Sequence, residues 1–244
     1  MRLTLVTLAL APVLFGQGKR VKKNMLRLPE PVGERAGIVG TGQPLRLLIL
    51  GDSAAAGVGV ETQQQALSGQ LVQQLSQHYQ VHWRLEASTG HTSEEVIERI
   101  KSQIEPQPYD VVVTSVGVND VTRLVSPKKW IGLQQQLLQQ IRHKFQPKLI
   151  LLTSVPPMHL FSALPQPLRW HLGSYVQAMN KALAELLKAN PECVQITLPL
   201  EQGQGDIPLA NDGFHPSAEV YQAWATLLAG VVGGWIGDFK VTPS

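Results

Sequence analysis

The sequence predicts a three-layer α/β/α sandwich around a five-stranded parallel sheet. Five short runs rich in Val, Leu and Ile recur along the chain, at Leu45–Leu50, Val81–Leu85, Asp110–Ser115, Lys148–Thr153 and Val194–Leu198. Between them, apolar residues repeat at helical spacing, so strands and helices alternate. Alternating short hydrophobic strands and helices give a parallel sheet covered on both faces.

Each element has its own signal. Residues 1–27 hold an apolar run, Leu3 to Phe15, followed by a basic cluster. Residues 28–44 are rich in Pro and Gly and read as a connection to the domain proper, expected over 45–235. After the first strand, Leu67, Leu71, Leu75 and His78 make one helical stripe. Val96, Ile97, Ile100 and Ile104 make the next, with Thr92 and Glu95 spaced as a capping box. Trp130, Leu133, Leu137, Leu138, Ile141 and Phe145 form a third stripe, opened by Ser126 as N-cap and Pro127 as first helical residue. Leu172, Tyr175, Val176, Met179, Leu183, Leu186 and Leu187 form a fourth. A stripe through Val220, Tyr221, Trp224, Leu227, Leu228 and Val231 closes the chain.

Composition narrows the function. At 244 residues, 43% hydrophobic and 16% charged, the chain suits one well-buried domain, and no repeat or linker divides it. The net charge of +3 misleads, because Arg2, Lys19, Arg20, Lys22, Lys23 and Arg27 all fall in the first 27 residues, which hold no acid. Taking these six from the 21 Lys and Arg leaves 15 basic against 18 acidic residues, a balance of −3. No basic stripe with interleaved aromatics follows, which argues against nucleic acid as a partner. The single Cys193 excludes an internal disulfide or a Cys-based zinc site, and it reads as a small core residue entering a strand. His78 and His82 are four apart but lack a third ligand nearby, so no metal is expected. His143 falls near a helix C-terminus, where a cationic tendency suits the dipole.

In a parallel α/β sheet, ligands bind beyond the carboxyl ends of the strands. The loops at those ends carry Gly51-Asp52-Ser53, then Gly90, then Gly117, Val118, Asn119 and Asp120, and finally Asp212, Gly213 and His215. A serine hydroxyl attacks only when a base takes its proton, and a histidine oriented by a carboxylate serves that purpose. Asp212 and His215, three residues apart, can meet on one turn. The Ser53 and Gly90 N–H groups and the Asn119 amide are uncharged donors suited to a tetrahedral oxyanion. The small residues Ala54, Ala55, Ala56 and Gly57 keep the turn after Ser53 tight and open to a substrate carbonyl. Asp52 and Asp120 are expected as supports, the first bonding turn backbone and the second capping the segment after the third strand. His91, beside Gly90, is expected as an exposed loop residue.

Together these blocks resemble the SGNH (GDSL-type) hydrolases, a family of serine esterases and lipases on a flavodoxin-like sheet. The resemblance rests on "GDS", "STG", "GVND" and "DGFHP", in the family's order over about residues 45–232. It implies ester hydrolysis through an acyl-serine, with Ser53 as nucleophile, His215 as base and Asp212 as its orienting acid. It also implies an oxyanion hole of Ser53, Gly90 and Asn119, and no cofactor. Val118 departs from relatives that place a small residue there, and narrows the acyl side. Should Asp212 not be the acid, Asp120 and Asp206 are the carboxylates to consider.

Rival readings are weaker. The Gly-rich turn lacks the lysine of a Walker loop and does not fit G-x-G-x-x-G. A carbohydrate O-deacetylase or a lysophospholipase would use the same residues on other esters. A non-catalytic binding domain would be marked by loss of Ser53, Asp212 or His215, and all three are present. The Pro-rich stretch Ser154 to Gly173 follows the fourth strand and offers Met158, Phe161 and Trp170, with Val118, as pocket candidates.

The N-terminal run of 13 apolar-leaning residues reaches about 20 Å as a helix, short of a hydrocarbon core of about 30 Å. It reads as an interfacial or anchor-like helix touching a membrane surface, as a signal-like segment of an exported protein, or as a helix packed on its own domain.

Overall fold

The structure is a computed structural model that describes residues 2–198, 200 and 208–239. Its elements run α1 (Arg2–Asn24), β1 (Ala36–Val39), β2 (Gln43–Gly51), α2 (Ser53–Ala56), α3 (Leu67–Leu75), β3 (Tyr79–Ala87), α4 (Ser93–Gln103), β4 (Val111–Ser115), α5 (Val118–Thr122), α6 (Pro127–Phe145), β5 (Leu149–Thr153), α7 (Leu168–Leu187), β6 (Cys193–Ile196) and α8 (Ala218–Phe239). A single 3-10 turn, Met158–Leu160, interrupts the passage from β5 to α7.

The sheet has six strands rather than the expected five, in the order β1-β3-β2-β4-β5-β6. β2 to β6 pair in parallel, while β1 runs antiparallel to β3 at the edge. β1 comes from the stretch expected to be only a connection. Its four residues are all exposed, with Gly37 among them and Gly40 after them, so no burial pattern marks it. The capping signals hold: the Thr92 and Glu95 side chains form the full box at α4, and the Ser126 hydroxyl accepts from the Lys129 N–H at 3.2 Å.

Alternation along the buried strands divides the core into two layers. Leu45, Leu47 and Ile49 of β2 point toward α3 and α8, whereas Leu48 and Leu50 point toward α4, α6 and α7. The chain leaves β2 for β3 on one side and then returns to β4 on the other. Crossovers on opposite sides of a central strand open a crevice at its carboxyl end. Gly51, Ala87 and Ser115 lie in register at that edge. Ser53 begins the segment leaving it.

α1 packs on the domain. Leu14 is buried among the residues of the α4–α6–α7 layer, with Leu10 and Val21 beside it. Thr7 Oγ1 lies 3.1 Å from His171 Nε2, and the Gln17 side chain bridges the chain at Gln166 and Leu168, donating to one carbonyl and accepting from the other's N–H. A 23-residue helix with Pro12 inside it is held by tertiary contacts more than by propensity. No described helix is long and apolar enough to cross a membrane. Replacing Leu14 by Ala should therefore loosen α1 locally. Hydrogen exchange should quicken over residues 8–20 while β2 and β4 keep their protection; unchanged exchange there would show that Leu14 does not hold the helix.

Candidate active site

The site starts from close backbone approach. Gly51 sits so near β4 that a Cβ would lie 2.1 Å from the Ser115 carbonyl oxygen, so no side chain fits. The Asp52 N–H donates to that same carbonyl at 3.0 Å, and the Ser88 N–H donates to the Gly51 carbonyl at 3.3 Å. The first turn is thus tied to both neighbouring strands. Asp52 then N-caps α2, its carboxylate accepting from the Ala54 N–H at 3.1 Å. Ser53 follows at the mouth of a cleft, with Ala55 and Ala56 fully buried beneath it.

The loop carrying His215 comes back to this turn from the start of α8. Gly59 adopts φ +115°, and a Cβ there would lie 2.3 Å from the Pro216 carbonyl oxygen, so a glycine is required for the two segments to touch. Asp212 organises the loop. Its Oδ1 accepts from the N–H groups of Phe214 and His215, each at 3.0 Å, and His215 Nδ1 lies 2.5 Å from its Oδ2. On the other side of the ring, His215 Nε2 is 2.9 Å from Ser53 Oγ. Burial works to raise the Asp212 carboxyl, but the hydrogen bonds from the His215 ring and from the two N–H groups outweigh it and hold the group below its ordinary value. An ionised Asp212 can only accept, so Nδ1 carries the proton and Nε2 is left to accept from the serine hydroxyl.

Asn119 and Gly90 meet through the loops that bear them. The Asn119 amide donates to the His91 carbonyl at 2.9 Å, and its second N–H has no partner among the described residues. Gly90 has φ +86° and open space where a Cβ would stand. His91 itself is half-buried rather than exposed, because that loop is drawn down onto Asn119. Asp120 does not cap its own segment as expected. It is fully buried, and its Oδ2 accepts from the N–H and hydroxyl of Ser93, which receives a further bond from Gln134. It therefore fastens the start of α4 to α5, the helix that carries Asn119.

A cleft open to solvent lies beside Ser53 and His215, with about 600 Å³ of empty space counted together with its open mouth. Of the four pocket candidates, Val118 and Phe161 line it. Met158 and Trp170 do not. Met158 is fully buried in the α4–α6–α7 core, turned inward by the 3-10 turn. Trp170 is 50% exposed, because Leu168, His171, Leu172 and Tyr175 take the inward face of α7 and leave its position outside. Other lining residues were hidden in sequence: Thr153 ends a strand, Phe214 stands between Asp212 and His215, and Trp224 reads as part of a core stripe. Asp206 lies outside the described residues. Cys193 is buried, which with Glu192 nearby pushes its thiol up to about 12 and suits a packing role.

Asp52 sets a pH dependence of stability. Burial pushes its carboxyl from 3.8 up to about 7, against the Ala54 N–H, which favours the ionised form. Between those two values the folded protein holds a proton that the unfolded chain has released, so this group's contribution to stability falls as pH rises through the window. Asp52→Asn has no such proton to lose. Its melting temperature relative to wild type should be higher at pH 8 than at pH 4, and a pH-independent difference would refute the assignment.

Residues 49–223 match the GDSL-like lipase/acylhydrolase family. No curated protein sequence matches the chain. Among solved structures, a lipase from a goat rumen metagenome is similar with TM-score 0.62 at 17% identity, over 76% of this chain and 96% of that one. The psychrotrophic esterase EstA from Pseudoalteromonas sp. gives TM-score 0.60 at 17% identity, over 79% and 98%. A carbohydrate acetylesterase family member from Sinorhizobium meliloti gives 0.58 at 18%, over 79% and 99%. At such identities the structures speak for the fold, while the family match covers most of the chain, from the strand before Ser53 to the helix after His215. The chain belongs to the GDSL-like lipase/acylhydrolase family and is an ester-hydrolysing enzyme.

Proposed function

We propose that this enzyme hydrolyses carboxylic esters through an acyl-serine formed on Ser53. The observation that carries the reading is the continuous chain from Ser53 Oγ to His215 Nε2, 2.9 Å, and from His215 Nδ1 to Asp212, 2.5 Å. Ser53 Oγ attacks the ester carbonyl carbon as its proton passes to His215 Nε2. The carbonyl oxygen becomes the oxyanion and takes hydrogen bonds from the Ser53 and Gly90 N–H groups and the free N–H of the Asn119 amide. Collapse breaks the bond to the alcohol oxygen, which leaves with the proton from His215. Water, deprotonated by the same nitrogen, then repeats the sequence on the acyl-serine and restores Ser53.

The apolar lining favours acyl groups longer than acetyl. Phe161, Leu198, Leu209, Phe214 and Val220 all face the cleft, and each methylene buried there adds about 0.8 kcal/mol of binding. This supports lipid-like esters over the acetylated sugars of a carbohydrate deacetylase. A fluorophosphonate should label the wild type and not Ser53→Ala, and Asn119→Ala should lower kcat about 10²- to 10³-fold with KM little changed. For p-nitrophenyl esters, kcat/KM should climb about threefold to fourfold per methylene from acetate toward hexanoate. Equal labelling of Ser53→Ala would remove the nucleophile, and a preference for acetate would restore the deacetylase reading.

We further propose that α1 seats the enzyme on an anionic membrane surface. Its inner face is used by the domain, but Leu5, Leu8 and Phe15 are more than 60% exposed, and Lys19, Arg20, Lys22 and Lys23 are exposed beyond them. Apolar side chains suit the acyl boundary, and each basic residue adds about 1 kcal/mol near anionic lipid. The full chain should sediment with vesicles containing phosphatidylglycerol and be released by salt. Changing Lys19, Lys22 and Lys23 to Gln should weaken this binding while leaving hydrolysis of a water-soluble ester intact; binding that ignores both changes would refute the surface.

A further inference from the structure

The stretch between α1 and β1 precedes the family match, which starts at residue 49, yet it touches two segments of the proposed site. Pro31 is buried and packs on Gly57, the C-cap of α2, so closely that a Cβ on Gly57 would lie 2.9 Å from Pro31 Cγ. The Val32 N–H donates to the Glu61 carbonyl at 3.1 Å, and the Val32 carbonyl accepts from the Gln63 N–H at 2.8 Å. These contacts tie the stretch to the chain that follows Ser53. Its other side grips the end of β3. Glu30 Oε1 accepts from both the N–H and the hydroxyl of Thr89, each at 2.8 Å. Glu30 Oε2 accepts from Arg35 Nη1 at 2.8 Å, and Arg35 Nη2 donates to the Ala87 carbonyl. The Arg35 carbonyl in turn accepts from the Leu85 N–H at 2.7 Å.

Thr89 stands immediately before Gly90, and Gly90 needs to be held. It has φ +86°, and no described atom lies within 4 Å of where its Cβ would stand, so packing on that side does not fix it. A glycine crosses between positive and negative φ at little cost, so the Thr89–Gly90 peptide can turn unless hydrogen bonds prevent it. Beyond Gly90 the loop is held from α5. Arg123 Nη2 donates to the Gly90 carbonyl at 3.1 Å, and the Asn119 amide donates to the His91 carbonyl. Before Gly90 the grip comes from Glu30. Burial works to raise the Glu30 carboxyl, but the bonds from Thr89 and Arg35 outweigh it and hold the group below its ordinary value. An ionised carboxylate accepts from both Thr89 donors, and such bonds are about twice as strong as neutral ones.

We infer that Glu30 is a positioning residue for hydrolysis, which by holding Thr89 sets where the Gly90 N–H stands relative to Ser53. The inference rests on the proposed oxyanion hole and goes beyond it, giving a part in the reaction to a residue outside the family match. A donor aimed in advance at the developing oxyanion stabilises the transition state without reorganising, and a donor that wanders forfeits part of that gain. The oxyanion forms only on the way to the transition state, so the loss falls on kcat and spares KM.

Variants of Glu30 and Thr89 test this. Glu30→Ala should lower kcat about tenfold, counted per Ser53 that a fluorophosphonate labels, with KM little changed. Glu30→Gln keeps an oxygen that accepts from Thr89 and should recover kcat to within about threefold of wild type. Thr89→Val removes the hydroxyl's bond alone. It should cost about threefold in kcat in the wild type and nothing further in Glu30→Ala, because the two residues act as a unit. A Glu30 that only stabilised the fold would lower the melting temperature and leave kcat per labelled serine unchanged. Wild-type kcat in Glu30→Ala, beside an Asn119→Ala variant that shows its expected loss, overturns the inference. So does a loss carried by KM, or one that Glu30→Gln does not relieve. Should Glu30→Ala not fold, Thr89→Val decides, and wild-type kcat in that variant overturns the inference as well. Failure of the underlying reading looks different: Asn119→Ala would itself leave kcat unchanged, and the oxyanion hole would fall together with the part given to Glu30.

Discussion

At the carboxyl end of β2, backbone touches backbone with no room for a side chain. Gly51 abuts the Ser115 carbonyl, which also receives the Asp52 N–H, and this contact decides where the serine can stand. A larger residue at 51 would part β2 from β4 where their ends line up. The Gly59 contact with Pro216 does the same for the second half of the site, holding the histidine loop against the segment after α2. The hydroxyl-to-imidazole distance therefore follows from two steric constraints on the backbone, and the side chains only complete it.

Three buried carboxylates around that point are handled in three ways. Asp212 accepts from a ring and two N–H groups, enough to keep it ionised despite burial. Asp120 accepts from Ser93 but its Oδ1 has no partner among the described residues, and burial raises its pKa. Asp52 receives backbone N–H bonds, yet desolvation prevails and lifts it near neutrality. Burial penalises charge in each case, and the number and geometry of donors decide the outcome. The carboxylate with the fullest set of donors is the one that faces the histidine.

α1 works on two faces. One inserts Leu14 into the core and reaches His171 and Leu168 with Thr7 and Gln17. The other is apolar in its first half and basic in its second. Gln17 bonds the chain at residues 166–168, just beyond the loop whose Phe161 lines the cleft.

Much of this was legible in the amino-acid sequence by itself. Hydrophobic runs such as Leu45–Leu50 are buried on both faces, a property of each residue and its neighbours, so five strands and their order of appearance could be read directly. The motifs at their ends were legible for the same local reason, since Asp212 and His215 meet across three residues without help from elsewhere. What tertiary structure decided were matters of partnership across long distances. β1 exists because the edge of β3 offers hydrogen bonds to an exposed segment with no pattern of its own. Asp120 serves a helix 27 residues earlier rather than its own, which no spacing rule reveals. Met158, Phe161 and Trp170 look alike in sequence, yet one faces the core, one the cleft and one the solvent, because packing against α7 and the sheet fixes their directions.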